Sequence, residues 1–136
     1  MIRTVCFTVT GLPPKKDCAK SLWSEDQEKV AKLRQAAYIG IGKNFFKKWV
    51  RLVVIMYAKP EDGDLDNFIG GICDALKPVP QNTNFNRNYW LTLPADIAPY
   101  QSIAFQDDKI VNEIIAKREI VESEEYNCYR VVLMGE

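Results

Sequence analysis

Apolar and polar positions along this chain change their period several times, and each change marks an element. Ile2, Val5, Phe7 and Val9 stand against Thr4, Thr8 and Thr10, the alternation of a half-buried strand. Gly11-Leu12-Pro13-Pro14 ends that strand, and Lys15-Lys16-Asp17 follows as an exposed loop. A helix is predicted from Ser24, because Gln27 stands at the capping-box spacing and Val30, Leu33, Ala37 and Tyr38 recur on one helical face. Lys29 and Lys32 fall off that stripe, and Gly40 and Gly42 read as stop signals. The basic and aromatic stretch 43–49 predicts a short helix leading into the next strand. Residues 51–58 (RLVVIMYA) form an apolar run suited to a central strand buried on both faces.

Residues 66–76 return to helical spacing, with apolar side chains at 68, 69, 72, 73, 75 and 76 and Asp66 as the expected N-cap. Gly70-Gly71 lies inside this helix, where each glycine costs roughly 1 kcal/mol relative to alanine. A pair of them there points either to close approach by another backbone or to a weak helix. Residues 77–102 are irregular, with four prolines, four asparagines and the aromatic pair Tyr89-Trp90. Residues 103–121 regain strand character, and 127–134 read as a last strand. The predicted fold is α/β in the loose α+β sense. It is a single domain spanning 1–136, a mixed β-sheet of about four strands with two main helices and an irregular insertion at about 79–102.

The length of 136 residues fits one domain that buries roughly 68% of its unfolded surface, so a core needs no staples. No apolar run approaches the ~18 residues of a membrane span, and the N-terminus lacks a signal-peptide pattern. A cytoplasmic protein with no membrane partner is expected. The four cysteines, at 6, 18, 73 and 128, form no CxxC pair and are expected to be reduced and mostly buried. The chain contains no histidine. That excludes Ser-His and Cys-His nucleophile pairs and HExxH metal sites. Hydrolysis would have to rely on carboxylates, lysine or a metal.

Net charge is zero but unevenly spread. Residues 1–59 carry 12 Lys and Arg against 4 Asp and Glu, whereas 60–136 carry 6 against 14. From Lys29 to Arg51 the basic residues Lys29, Lys32, Arg34, Lys43, Lys47, Lys48 and Arg51 occur without an acid. A polyanion could dock on the first half while a cation collects on the second, or the two halves could simply attract each other.

Two acidic segments carry the candidate chemistry, EDGDLDN (61–67) and QDDK (106–109). Asp64 and Asp66 share a face if extended, at a strand-to-helix junction whose N–H groups favour anions. Hard cations such as Mg²⁺ take oxygen ligands, commonly one or two carboxylates plus water and phosphate. Taken alone, the aspartates of DLDN are better explained by helix capping. A calcium loop does not fit, since Asn67 and Cys73 stand where it needs glycine and glutamate. A PD-(D/E)xK core fails too, since Ile115 stands two residues before Lys117.

In the order of these motifs the chain resembles the RusA family of Holliday-junction resolvases. Gly11, Pro13, Pro14 and Lys15 look like its Gly-Pro-Pro-Lys turn. Asp64-Leu65-Asp66-Asn67 matches its DxDN motif, and Asp74-Ala75-Leu76 its helix end. Asp107-Asp108 matches its acid pair and Lys117 its late lysine. The resemblance covers most of the chain except 79–102. It implies a homodimeric, Mg²⁺-dependent (or Mn²⁺-dependent) endonuclease that nicks four-way DNA junctions. It places catalysis on Asp64, Asp66 and Asp108 and metal ligation on those residues with Asp107. The expected DNA contacts are Lys15, Lys16, Lys43, Lys47, Lys48 and Lys117. Gly70 stands where the family carries a lysine needed for cleavage, Ile110 stands where glutamine is frequent, and the insertion before Asp107 is long. A junction-binding protein of weakened or lost activity on the same fold is therefore the alternative, with Lys77 or the 43–48 stretch as possible sources of a replacement lysine. A third reading is a protein-interaction module anchored by Tyr89 and Trp90.

Overall fold

The computed structural model describes residues 1–16, 21–22 and 26–136. In chain order the elements are β1 (Arg3–Thr10), β2 (Ser21–Leu22), α1 (Asp26–Ile41), β3 (Val50–Tyr57), α2 (Leu65–Leu76), β4 (Asn84–Phe85), α3 (Arg87–Leu91), β5 (Val111–Glu119) and β6 (Cys128–Gly135). Four strands form a mixed sheet in the order β1-β6-β3-β5. β6 runs antiparallel to both β1 and β3, while β3 and β5 are parallel. The short strands β2 and β4 pair with each other in parallel. The fold is thus mixed α/β, a four-stranded sheet with two main helices, as the periodicity predicts.

Alternation along the strands sorts their side chains onto two faces. Leu52, Val54 and Met56 of β3 are buried, and so are Tyr129, Val131 and Leu133 of β6 and Val5 and Val9 of β1. Val30, Leu33 and Ala37 of α1 and Phe68, Ile72 and Leu76 of α2 complete this core. On the opposite face Val53 and Ile55 are only half-buried and Arg51 is exposed. β3 is therefore central but buried on one face, not two.

α1 runs through Gly40 and stops at Gly42, whose φ of 76° suits glycine and whose N–H donates to the Tyr38 carbonyl. The predicted cap Ser24 lies outside the described residues, as do Asp17 and Cys18. Residues 43–49 form no helix. They are an irregular loop fixed by buried Phe46, whose N–H donates to the Ala104 carbonyl, and by Lys48 N–H donating to the Glu136 carbonyl. Strand structure begins at Val111, later than expected, because 108–110 form a 3₁₀ turn. Of the described cysteines, Cys73 is buried, Cys128 half-buried and Cys6 exposed on β1, and all three are free thiols. Trp90 is buried in the core, which removes it as an exposed anchor for a partner. Among the described residues, no helix is long and apolar enough to cross a membrane.

Two contacts organise the site. Arg34, expected on the basic surface, is 1% exposed. Its guanidinium donates to the carbonyls of Ala75, Lys77, Ile97, Ala98 and Gln101, tying α1 to the end of α2 and to the insertion. The Gly70-Gly71 pair admits the 14–16 segment onto α2. A Cβ at Gly71 would stand 1.8 Å from the Pro14 carbonyl oxygen, so another backbone does approach there.

Candidate functional site

α2 begins immediately after Asp64, its N-cap, and Asp66 lies in its first turn. The cap is Asp64 rather than the expected Asp66, and the Asp64 side chain makes no capping hydrogen bond. From Asp66 to Asp74 the helix advances roughly 12 Å. Positions 66, 70, 73, 74 and 77 recur at helical spacing and form one stripe.

Asp107 and Asp108 lie at the opposite end of α2 from Asp64 and Asp66. The topology is the reason. Asp64 follows the end of β3, whereas Asp108 precedes the start of β5, and these strands are parallel. Asp108 instead meets Lys77, whose ammonium stands 3.2 Å from its Oδ2 and 3.6 Å from Asp74 Oδ1. Asp74 and Asp108 therefore converge on one cation from separate segments of chain. Burial works against the charge on Lys77, but the hydrogen bond and charge of Asp108, with Asp74 behind it, hold its pKa above the ordinary lysine value. Asp107 accepts from Lys109 N–H at 2.9 Å, and that bond holds its carboxyl below the usual carboxylate range. Among the described residues, no group of three or more Cys, Asp or Glu side chains is placed to hold a metal ion.

An open cavity of about 510 Å³ is lined by Asp107 together with Phe45, Lys47, Pro78, Lys109 and Ile110. The basic loop 43–48 thus reaches Asp107 through Phe45 and Lys47. Lys47 lies over the Phe45 ring, 5.4 Å from its centroid. Lys48 points to Glu136, at 3.6 Å. Lys43 borders a separate cavity with Tyr38 and Tyr100.

Lys15 and Lys16 lie along α2. The Lys15 ammonium stands 5.8 Å from the Phe68 ring centroid, and Lys16 N–H donates to the Asn67 carbonyl. The Lys16 stem crosses Gly70, where a Cβ would meet Lys16 Cγ at 3.1 Å. A lysine from the preceding loop thus covers the helix position where a lysine was expected. Lys117 stands apart. It pairs in register with Ile55 on the sheet face opposite the core and contacts Glu119 at 3.0 Å.

Asp74 was expected only as part of the helix-end motif and Lys77 only as a source of the replacement lysine; neither was expected at a carboxylate cluster. Their signal was present: they follow Asp66 at helical spacing, and Lys77 stands three residues after Asp74.

Cys73 sits beneath this cluster. Burial, then the charges of Asp108 and Asp74, push its thiol up to about 12. At about pH 8, iodoacetamide should modify Cys6 in the folded protein and leave Cys73 untouched until denaturation. Peptide mass spectrometry reads both sites, and equal labelling rates in the native state would refute the placement of Cys73.

No family model matches this chain, and a search of the curated proteins finds no match either.

Proposed function

We propose that this chain is a divalent-metal-dependent endonuclease of branched DNA, using Mg²⁺ or Mn²⁺ and working as a homodimer in the cytoplasm. The observation that carries this reading is the convergence of Asp74 and Asp108 on the Lys77 ammonium, with their chain neighbours Pro78 and Asp107 lining a lysine-bearing groove. Two carboxylates that can share an ammonium fit a hard cation completed by water and phosphate oxygens. Asp108 and Asp74 would hold that ion, with Asp107 beside them. When bound, it would polarise the phosphodiester and lower the pKa of a water.

The chain's own residues supply the remaining work. Lys77 balances the two carboxylates and, once released from them, can contact phosphate. Lys47 and Lys109 line the approach and position the backbone of the nucleic acid, a salt-sensitive contact. Lys16 sets a cation midway along the acidic stripe of α2, over Gly70. The three described free thiols accord with a reducing compartment.

The second reading is a junction-binding protein that does not cut. It is favoured by Gly70 and by the separation of Asp64 and Asp66 from Asp108.

Purified protein should nick a four-way junction in Mg²⁺ or Mn²⁺. Asp108→Asn should slow nicking roughly 100-fold, the scale of losing one direct electrostatic stabiliser. Tight, metal-independent junction binding without nicking would select the second reading. Neither binding nor nicking would dismiss both.

A further inference from the structure

Three open cavities of the surface share walls. Phe45 lines both the cavity that Asp107 borders and a second one of about 260 Å³. Tyr100 lines both that second cavity and a third of about 280 Å³, whose walls include Phe85, Arg87 and Trp90. Cations outnumber acids along them. Lys47 and Lys109 border the first cavity, Lys43 the second and Arg87 the third, against Asp107 in the first and Asp96 in the second. All four cations are exposed, and none forms a salt bridge among the described residues.

Rings alternate with these cations. The Lys47 ammonium stands 5.4 Å from the Phe45 centroid, and the Arg87 guanidinium 4.8 Å from that of Phe85. Tyr100, on the wall shared by the second and third cavities, is 66% exposed. Its backbone is nevertheless fixed. Arg34 donates to the carbonyls of Ala98 and Gln101 on either side, Gln101 N–H donates to the Ala98 carbonyl, and Val79 N–H to that of Pro99. A large ring held out to solvent on an anchored turn is preorganised, because little backbone entropy remains to be lost when a ligand covers it. The alternation selects the ligand. Cations alone suit any phosphate backbone. Ring faces add to binding only where bases expose theirs, and bases inside a duplex are stacked on their neighbours. A single strand offers both phosphates for the cations and free base faces for the rings.

We propose that the linked cavities bind an unpaired DNA strand, with a base stacked on Tyr100 and the flanking phosphates on Lys43 and Arg87. Lys47 and Lys109 continue the track to Asp107. The inference rests on the DNA reading of the chain and adds a strand state to it: a branched substrate with an unpaired arm is bound better than a fully paired one. Phe85, Arg87 and Tyr100 all come from the insertion at about 79–102, the part of the chain that the resemblance to resolvases does not cover. The insertion thereby gains a role that its irregular sequence alone does not reveal.

Fluorescence anisotropy of labelled oligothymidylate, without divalent cation so that nothing is cut, tests the track. The full chain should bind it more tightly than a DNA duplex of equal length, and at least as tightly as oligouridylate. Tyr100→Ala should weaken binding roughly tenfold without changing its salt dependence, and Tyr100→Phe should restore it, since the ring does the stacking. Arg87→Ala should weaken binding and lower the salt slope by about 0.7, the share of one phosphate contact on a single strand. Tyr126→Ala removes another ring, 58% exposed and outside the three cavities, and should change nothing. Tighter binding of the duplex or of oligouridylate, or a Tyr100→Ala protein that binds as well as Tyr126→Ala, would overturn the track. Junction nicking is a separate readout. A chain that nicks a four-way junction but ignores oligothymidylate loses the track and keeps the nuclease. One that binds oligothymidylate through Tyr100 and nicks nothing keeps the track and loses the nuclease.

Discussion

Alanine at Gly71 should lower the melting temperature by roughly 10 °C, whereas alanine at Gly70, one residue earlier in the same helix, should leave it unchanged or raise it. Both changes gain about 1 kcal/mol of helix propensity. Their surroundings differ. At Gly71 the new methyl would stand 1.8 Å from the Pro14 carbonyl oxygen and 2.6 Å from the Lys15 carbonyl carbon. Those atoms are backbone, so the 14–16 segment or α2 must move bodily, at a cost of about 3 kcal/mol or more for overpacking. At Gly70 the neighbours are Lys16 side-chain carbons at 3.1 to 3.5 Å, and a lysine stem can give way. The pair of variants therefore separates close backbone approach from propensity. Thermal melts read it directly. A Gly71→Ala protein as stable as Gly70→Ala would mean that the 14–16 segment does not sit on α2. The same segment carries Lys15 and Lys16, so on the proposed DNA-binding reading junction binding should fall with Gly71→Ala even below its melting temperature.

Those two glycines also show what was legible from sequence. Glycines inside a helix carry an energetic penalty, so their presence signals either close contact or a weak helix, and the 1.8 Å approach at Gly71 selects contact. The partner was not, because it comes from a loop more than fifty residues earlier. β1, α1, α2 and β6 were legible for a similar reason, since a period of two or near 3.6 is a local property. The 43–49 stretch misled because its shape is set by long-range contacts, Phe46 to Ala104 and Lys48 to Glu136. The acids followed the same division. Their chemical type could be read, but whether Asp64 and Asp108 meet depends on the relative direction of β3 and β5, which no local pattern encodes. Parallel pairing sets them at opposite ends of α2 and brings Asp74 and Lys77 to Asp108 instead.

Arg34 is the sharpest case, because its charge reads as surface and its position reads as core. It follows Val30 and Leu33 and precedes Ala37 on the buried stripe of α1. Its guanidinium donates to five carbonyls, including Ala75 and Lys77 at the end of α2. Arg34→Met keeps most of the volume and removes every donor. Hydrogen bonds to a charged group contribute roughly 1.5 to 3 kcal/mol each, and buried carbonyls left without donors add to the loss. A destabilisation of about 4 kcal/mol or more is expected, enough to threaten folding in a protein of ordinary stability. Arg34→Lys should recover only part of it, because an ammonium on a flexible stem cannot serve carbonyls arranged around a planar fork. Chemical denaturation of the two variants measures the difference, and stability close to wild type in Arg34→Met would contradict the network. Junction binding by Arg34→Lys carries the functional half of the prediction. If Arg34 acts only by holding the end of α2, the folded fraction of that variant should bind DNA with an unchanged dependence on salt, since a guanidinium fully engaged with carbonyls contributes no phosphate contact to lose.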